Sequence, residues 1–140
     1  MVFESRPVRE LDGWHLNYAV ARYVCIYNVR TAFHLPNKFY VEEDDFKVVE
    51  VVVDGEKRLE RVPCVKRLDF LPVQHKIYSE PVITKLRLVA VKCDEGWSCE
   101  VDGFEKLFKH FHKDIALLRA AVALCTKSET VEIPIDSRFK

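Results

Sequence analysis

The segment from Asp102 to Cys125 carries the clearest helical pattern in the sequence and most constrains the fold. Asp102 is a suitable N-cap, and Glu105 stands three residues later, at the capping-box position. Seven apolar residues follow one another at alternating intervals of four and three residues, which places their side chains on one face of a helix. They are Phe104, Phe108, Phe111, Ile115, Leu118, Val122 and Cys125. The pattern predicts one long C-terminal helix over about 103–126.

The second half of this predicted helix is apolar on every side. From Ile115 to Cys125 the only polar side chain is Arg119. A helix without a polar face is covered on most sides. We therefore expect this half to be enclosed by other parts of the chain or to form a subunit interface. A short coiled-coil seam is less favoured, because coiled coils sustain the pattern over more heptads.

The sequence pattern predicts strands over most of the remaining chain. The clearest hairpin is 46–64, where Asp54-Gly55 is a strong turn signal. A two-residue turn would place Glu50 opposite Leu59. A four-residue turn places it opposite Arg61, and we favour this register because it pairs opposite charges.

Further strands are predicted at 23–35, 82–93, 99–101 and 130–135, whereas 14–22 fits either a helix or a strand. Short turns between neighbouring strands indicate an antiparallel arrangement. The predicted fold class is α+β, a mainly antiparallel sheet packed against the C-terminal helix, in a single domain over 1–140.

Composition narrows the function classes. The 140 residues carry 22 basic and 22 acidic side chains, so the strongly basic character of many duplex-binding domains is absent. No apolar run approaches a membrane span, and no signal peptide follows Met1, so a cytoplasmic, intracellular protein is expected. A single Met and a single Gln among many charged residues are typical of hyperthermophiles. The expected source is such an archaeon, or a virus in its host's cytoplasm.

The five cysteines offer one candidate disulfide. Cys93 and Cys99 flank a predicted hairpin loop and would face each other across two strands. Intracellular disulfides occur in hyperthermophiles, so both a bridge and free thiols are consistent with the sequence. Cys25 and Cys125 lie in apolar surroundings and are expected to be buried thiols.

No catalytic motif, metal site or cofactor site is predicted. The four glycines are isolated, which excludes a phosphate-binding loop. His110 and His112 stand two residues apart, a spacing that suits neither a helix face nor a zinc pair. The acidic run 42–45 is read as a solvated loop.

Two specific alternatives remain. Basic residues beside an exposed aromatic on a sheet face could bind nucleic acid, and the candidates are Lys85, Arg87, Trp97, Lys66 and Arg67. The long connection within 66–81, which contains His75, could instead hold the site of a small enzyme.

Packing signals outweigh catalytic ones in this sequence. The leading hypothesis is a small non-enzymatic binding or assembly module that acts through protein–protein contacts, as a homodimer. The contact would lie at the apolar end of the helix or at a sheet edge.

Overall fold

The computed structural model describes residues 2–31, 38–103 and 108–135. The strands are β1 (Val2–Pro7), β2 (Asn28–Thr31), β3 (Phe39–Val53), β4 (Glu56–Leu68), β5 (Val91–Cys93), β6 (Gly96–Cys99), β7 (Phe108–His110) and β8 (Thr130–Ile135). The helices are α1 (Gly13–Ala19), α2 (Lys76–Leu86) and α3 (Lys113–Thr126). A 3-10 turn, Val8–Glu10, precedes α1, and a π-helical turn, Val20–Val24, continues it.

The strands form three small antiparallel sheets, which confirms the predicted α+β class. Their orders are β1-β8, β2-β3-β4 and β5-β6-β7. The terminal strands β1 and β8 run side by side, with Val2 opposite Ile135 and Pro7 opposite Thr130.

Helix α3 is the buried centre of the structure and confirms the predicted C-terminal helix. Every residue from Ala116 to Ala123 is buried, and the helix packs on the π-helical turn, α2, β6 and β7. The Arg119 side chain is buried too, and its Nε donates a hydrogen bond to the carbonyl oxygen of Leu11 at 2.6 Å. The chain itself therefore covers this half of the helix as far as Ala123, whereas Cys125 near its end is exposed.

The helix starts at Lys113, with His112 as its N-cap, rather than near 103. Asp102 lies in a turn, and Gly103 has a left-handed φ of 90°. Phe108 is buried by pairing in β7 opposite Cys99, so this part of the helical pattern belongs to a strand. The predicted capping residue Glu105 and Phe104 lie outside the described residues.

The ambiguous stretch 14–22 is helical. Leu16, Tyr18 and Val20 are buried, and α1 with its π-helical continuation packs beside α3. The strand predicted at 23–35 was wrong at its start, because the π-helical turn continues to Val24 and β2 comprises Asn28–Thr31. The rest of that prediction, 32–35, lies outside the described residues.

The strand predicted at 82–93 was also wrong. Residues 76–86 form α2, which contains Pro81, and only Val91–Cys93 is extended. Val82 and Ser79 are buried against the core, so packing overrides the β-branched composition of this stretch. The connection between β4 and α2 is therefore shorter than the long connection that was predicted, because β4 continues to Leu68.

The segment before α2 is fixed by Asn17 of α1, which is fully buried. Its Nδ2 donates to Oε1 of Gln74 at 2.8 Å, and its Oδ1 accepts from the backbone N–H of Val73 at 2.8 Å. This amide links α1 to α2, and α2 in turn stands beside the base of the long β3–β4 hairpin.

Candidate interaction surface

The β3–β4 hairpin extends far beyond the sheet that contains it. We call residues 44–65 the arm. None of its residues is buried, and all but four are exposed. An isolated two-stranded hairpin is marginally stable in water, so contacts with a partner would stabilise an arm of this length.

The turn at the tip of the arm fixes the strand register. Asp54 and Gly55 have φ values of 52° and 80°, which match the two-residue turn that suits twisted strands. Glu50 is opposite Leu59, so the predicted four-residue turn was wrong. Glu50 still has a cation nearby, because Nζ of Lys57 lies 3.5 Å from its Oε1.

One face of the arm is rich in exposed apolar side chains. Phe46 is 51% exposed, Val48 66% and Leu59 75%. The register places these three on the same face together with Val52 and Val65. We call this side the apolar face. Because contiguous exposed apolar patches mark interaction sites, it is the strongest candidate surface among the described residues.

A charged side chain partly shields this face. The Arg61 guanidinium lies 4.4 Å from the centroid of the Phe46 ring. A cation in this position attracts the ring and covers one of its sides. The apolar face is thus presented with charges at its margin, an arrangement typical of protein–protein contact surfaces.

The register also determines which backbone groups point outward. Val53 and Glu56 flank the two-residue turn and bond to each other, and bonded and non-bonded pairs alternate from there. The even-numbered residues of β3 therefore direct N–H and C=O away from β4. The backbone N–H of Phe46 is consistent with this direction, because it donates a hydrogen bond to Oδ1 of Asp45 at 2.8 Å and not to β4.

The outer edge of β3 is occupied only at its base. β2 pairs with residues Phe39 to Glu42, and no other described strand pairs with that edge. Residues 43–53 thus present an open edge, of the kind that can accept another strand. The sequence alone does not predict which backbone groups point outward, because this depends on the length of the turn.

The acidic run 42–45 lies within β3, so its reading as a loop was wrong. Glu42 and Glu43 stand opposite Arg67 and Lys66, whereas Asp44 and Asp45 stand opposite Val65 and Cys64. These two aspartates at the base of the arm therefore have no cation directly opposite them on β4. Towards the tip, β4 carries Lys57 and Arg58 opposite valines.

The residues proposed for nucleic-acid binding lie on three separate elements. Lys66 and Arg67 belong to β4, and Arg67 lies over the Tyr40 ring at 4.9 Å. Lys85 is in the last turn of α2, and Arg87 caps that helix in a left-handed conformation. Trp97 in β6 has the Lys113 ammonium 4.9 Å from its ring centroid, so a stacking base would have to displace it.

A cavity of about 330 Å³ lies between α2 and the base of the arm. It falls partly within the 66–81 stretch proposed for an enzyme site, and its polar and aromatic lining includes Tyr27, Glu43, Asp69, Phe70, Tyr78 and Lys85. His75 is exposed at the N-cap of α2 and does not line the cavity.

Cys25 also lines this cavity, but its thiol lacks the character of a nucleophile. Burial raises the pKa of Cys25 above its usual value, and Lys85 only partly opposes this effect. Burial likewise raises the pKa of Cys99, and partial desolvation raises that of Cys125, although Cys125 is exposed and its prediction as a buried thiol was wrong. Because the thiolate is the reactive form, these cysteines are mainly protonated at neutral pH.

All five cysteines lie among the described residues and carry free thiols. The candidate bridge between Cys93 and Cys99 is absent because the hairpin turn contains two residues. This turn places Cys93 opposite Gly96, whereas Cys99 is opposite Phe108 in β7.

The two histidines before α3 contact each other. The His110 and His112 rings stack with centroids 5.6 Å apart, and the backbone N–H of His112 donates to Nδ1 of His110. Within the described ranges, no group of three or more His, Cys, Asp or Glu side chains is arranged to hold a metal ion.

Comparison with known proteins gives no relative: no protein-family model, curated protein or solved structure matches the chain. In the described part of the chain, no helix is long and apolar enough to cross a membrane.

Proposed function

We propose that this protein is a non-enzymatic assembly module that self-associates through its arm. The observation that carries this proposal is the apolar face. Five large apolar side chains lie on one face of a projecting hairpin, and the Arg61 guanidinium beside the Phe46 ring covers only a part of this face; such a patch is typical of an interaction surface.

Charge favours a second copy of the chain as that partner. Asp44 and Asp45 near the base of the arm complement Lys57 and Arg58 near its tip, so two arms laid antiparallel bring opposite charges together. The chain as a whole carries equal numbers of acidic and basic residues. Long-range attraction to a polyanion such as nucleic acid is therefore weak.

Shortening the arm tests this proposal. Deleting 46–53 and 56–63 removes eight residues from each strand and joins Asp45 and Cys64 through the original Asp54-Gly55 turn. The equal, even deletions keep each remaining side chain on its face. We expect light scattering to give a dimer for the unmodified chain and a monomer for the shortened one.

Thermal unfolding and far-ultraviolet circular dichroism control for loss of the fold. The buried core around α3 lies outside the arm, so the shortened chain should still unfold cooperatively. A shortened chain that is folded and dimeric would contradict assembly through the arm. So would an unmodified chain that is monomeric.

A further inference from the structure

We infer that two copies pair through the open edge of β3, antiparallel about a two-fold axis at Val48, to form the four-stranded sheet β4-β3-β3-β4. The inference rests on the proposed self-assembly and specifies the edge, register and symmetry. Its basis is the set of even-numbered residues of β3, whose backbone groups point away from β4.

The outer edge of β4 is a poorer candidate. Pro63 stands opposite Phe46 in a non-bonded pair, so the outward position on β4 lacks an N–H there. β4 is also rich in basic residues, including Lys57, Arg58 and Arg61. Two antiparallel copies of β4 bring like charges opposite one another in several registers, which is unfavourable.

The length of the open edge sets the register. Asn28 of β2 occupies the edge opposite Glu42, and the hairpin of the second copy turns at its own Asp54. A partner strand that fills the open edge and stops at β2 therefore ends with its Val53 opposite Glu43. The midpoint of these two positions is Val48, which becomes the residue on the axis.

This register is also electrostatically acceptable. Val48 meets its own copy, Lys47 meets Val49, and Phe46 meets Glu50 across the new strand pair. No like charges stand directly opposite each other. A shift of the axis by one residue to Lys47 would place two lysines face to face.

The same register explains the charge pattern of the arm. Asp45 comes opposite Val51 of the second copy, and Val51 in turn is paired with Arg58. The strands of Asp45 and Arg58 are then about 9.6 Å apart, two strand spacings. Their side chains extend towards each other on the same face, so opposite charges attract across the intervening valine.

Proline substitutions at a matched cross-strand pair test which edge is used. Val48 and Arg61 are partners in the hairpin, and both direct their N–H groups outward. Val48→Pro removes the donor at the proposed axis, whereas Arg61→Pro makes the same change on the other edge. We expect Val48→Pro to raise the dimer dissociation constant about a hundredfold, since each lost hydrogen bond occurs twice, and Arg61→Pro to leave the dimer intact.

Cysteine cross-linking provides a second, independent readout. Residues that exchange hydrogen bonds across antiparallel strands have Cα atoms about 5.5 Å apart, within the range for a disulfide. Under mild oxidation Val48→Cys should form a covalent dimer. Arg61→Cys and the unmodified chain, with its native cysteines, supply the background.

Each outcome decides the inference. A dimer lost only with Val48→Pro, or a covalent dimer formed only by Val48→Cys, supports it. A dimer that survives both prolines, or is lost only with Arg61→Pro, overturns it, as does cross-linking that favours Arg61→Cys. If both prolines give monomers, the cysteine comparison decides. A monomeric unmodified chain would instead refute the proposed function itself.

Discussion

At the scale of single residues, buried polar groups determine how the helices are joined. Asn17 is the clearest case, because its side chain both donates to Gln74 and accepts from the N–H of Val73. Arg119 has a similar role where α3 passes the segment before α1, through its bond to Leu11. Each satisfies a backbone group that would otherwise lose its partner in the core.

Replacement of Asn17 by Ala should lower the free energy of unfolding by about 1–3 kcal/mol, because the N–H of Val73 then loses its acceptor. Gln74→Ala should cost less, since Gln74 is exposed and water can take the place of its carbonyl oxygen. Urea unfolding of both variants measures the difference. Equal losses would show that Asn17 contributes nothing beyond its bond to Gln74.

His15 gives the molecule a pH dependence. Burial lowers the pKa of His15 below the ordinary value of 6.5, and Arg6 lowers it further, against the opposing effects of Asp12 and Glu4. Burial also lowers the pKa of His110. The unfolded chain therefore binds protons more readily than the folded one, so stability should fall as the pH decreases from about 6.5 through the folded-state values.

His15→Gln should reduce this loss of stability, and the remaining pH dependence should include that of His110. The measurement is the free energy of unfolding in urea at pH 7.5 and pH 5. The same decrease in the variant and in the unmodified chain would contradict the assignment to His15.

At the scale of elements, the arm combines a well-defined hairpin with an open edge. If two copies pair through the arm as inferred, the outward backbone N–H groups of β3 and those of β4 should exchange hydrogen at different rates. The N–H groups of Val48, Glu50 and Val52 should be protected, because they bond to the second copy. The outward N–H groups of Leu59 and Arg61 on β4 should exchange rapidly.

Amide exchange followed by nuclear magnetic resonance tests this asymmetry. In Val48→Pro, protection along β3 should fall towards that of the outward β4 groups, while the inward groups change less. Equal exchange on the two outer edges of the unmodified chain would contradict pairing through β3.

Comparison of the predicted and observed elements shows which of them local sequence patterns can predict. The hairpin around Asp54-Gly55, the strand Thr130–Ile135 and the second half of the C-terminal helix were predicted because their signals are local. Helix α2 was missed because Pro81 and its β-branched residues suggested a loop and a strand, while burial of Ser79 and Val82 decided the outcome.

The candidate site was only partly predictable for a similar reason. The sequence identified the hairpin and named a sheet edge as one place for contact. The exposure of Phe46 and Leu59, and the direction of each N–H group, depend on the exact length of the turn. Charge pairing at Glu50 suggested the wrong length, because a diagonal contact with Lys57 supplies the cation instead.

At the scale of the whole molecule, the proposed dimer consists of two compact bodies joined by a shared sheet. Helix α3 is the centre of each body and is buried from Ala116 to Ala123, so in the proposed dimer the arm forms the contact. An arm of ten residues per strand is about 33 Å long. The two bodies therefore lie at opposite ends of the sheet, and the closed two-fold symmetry stops growth at a dimer.

Sedimentation equilibrium of the unmodified chain over a range of concentrations tests self-association most directly. We predict a species of twice the chain mass of 16.4 kDa that dissociates to the monomer on dilution, with no larger species. A mass that stays at that of one chain at every concentration would contradict the account.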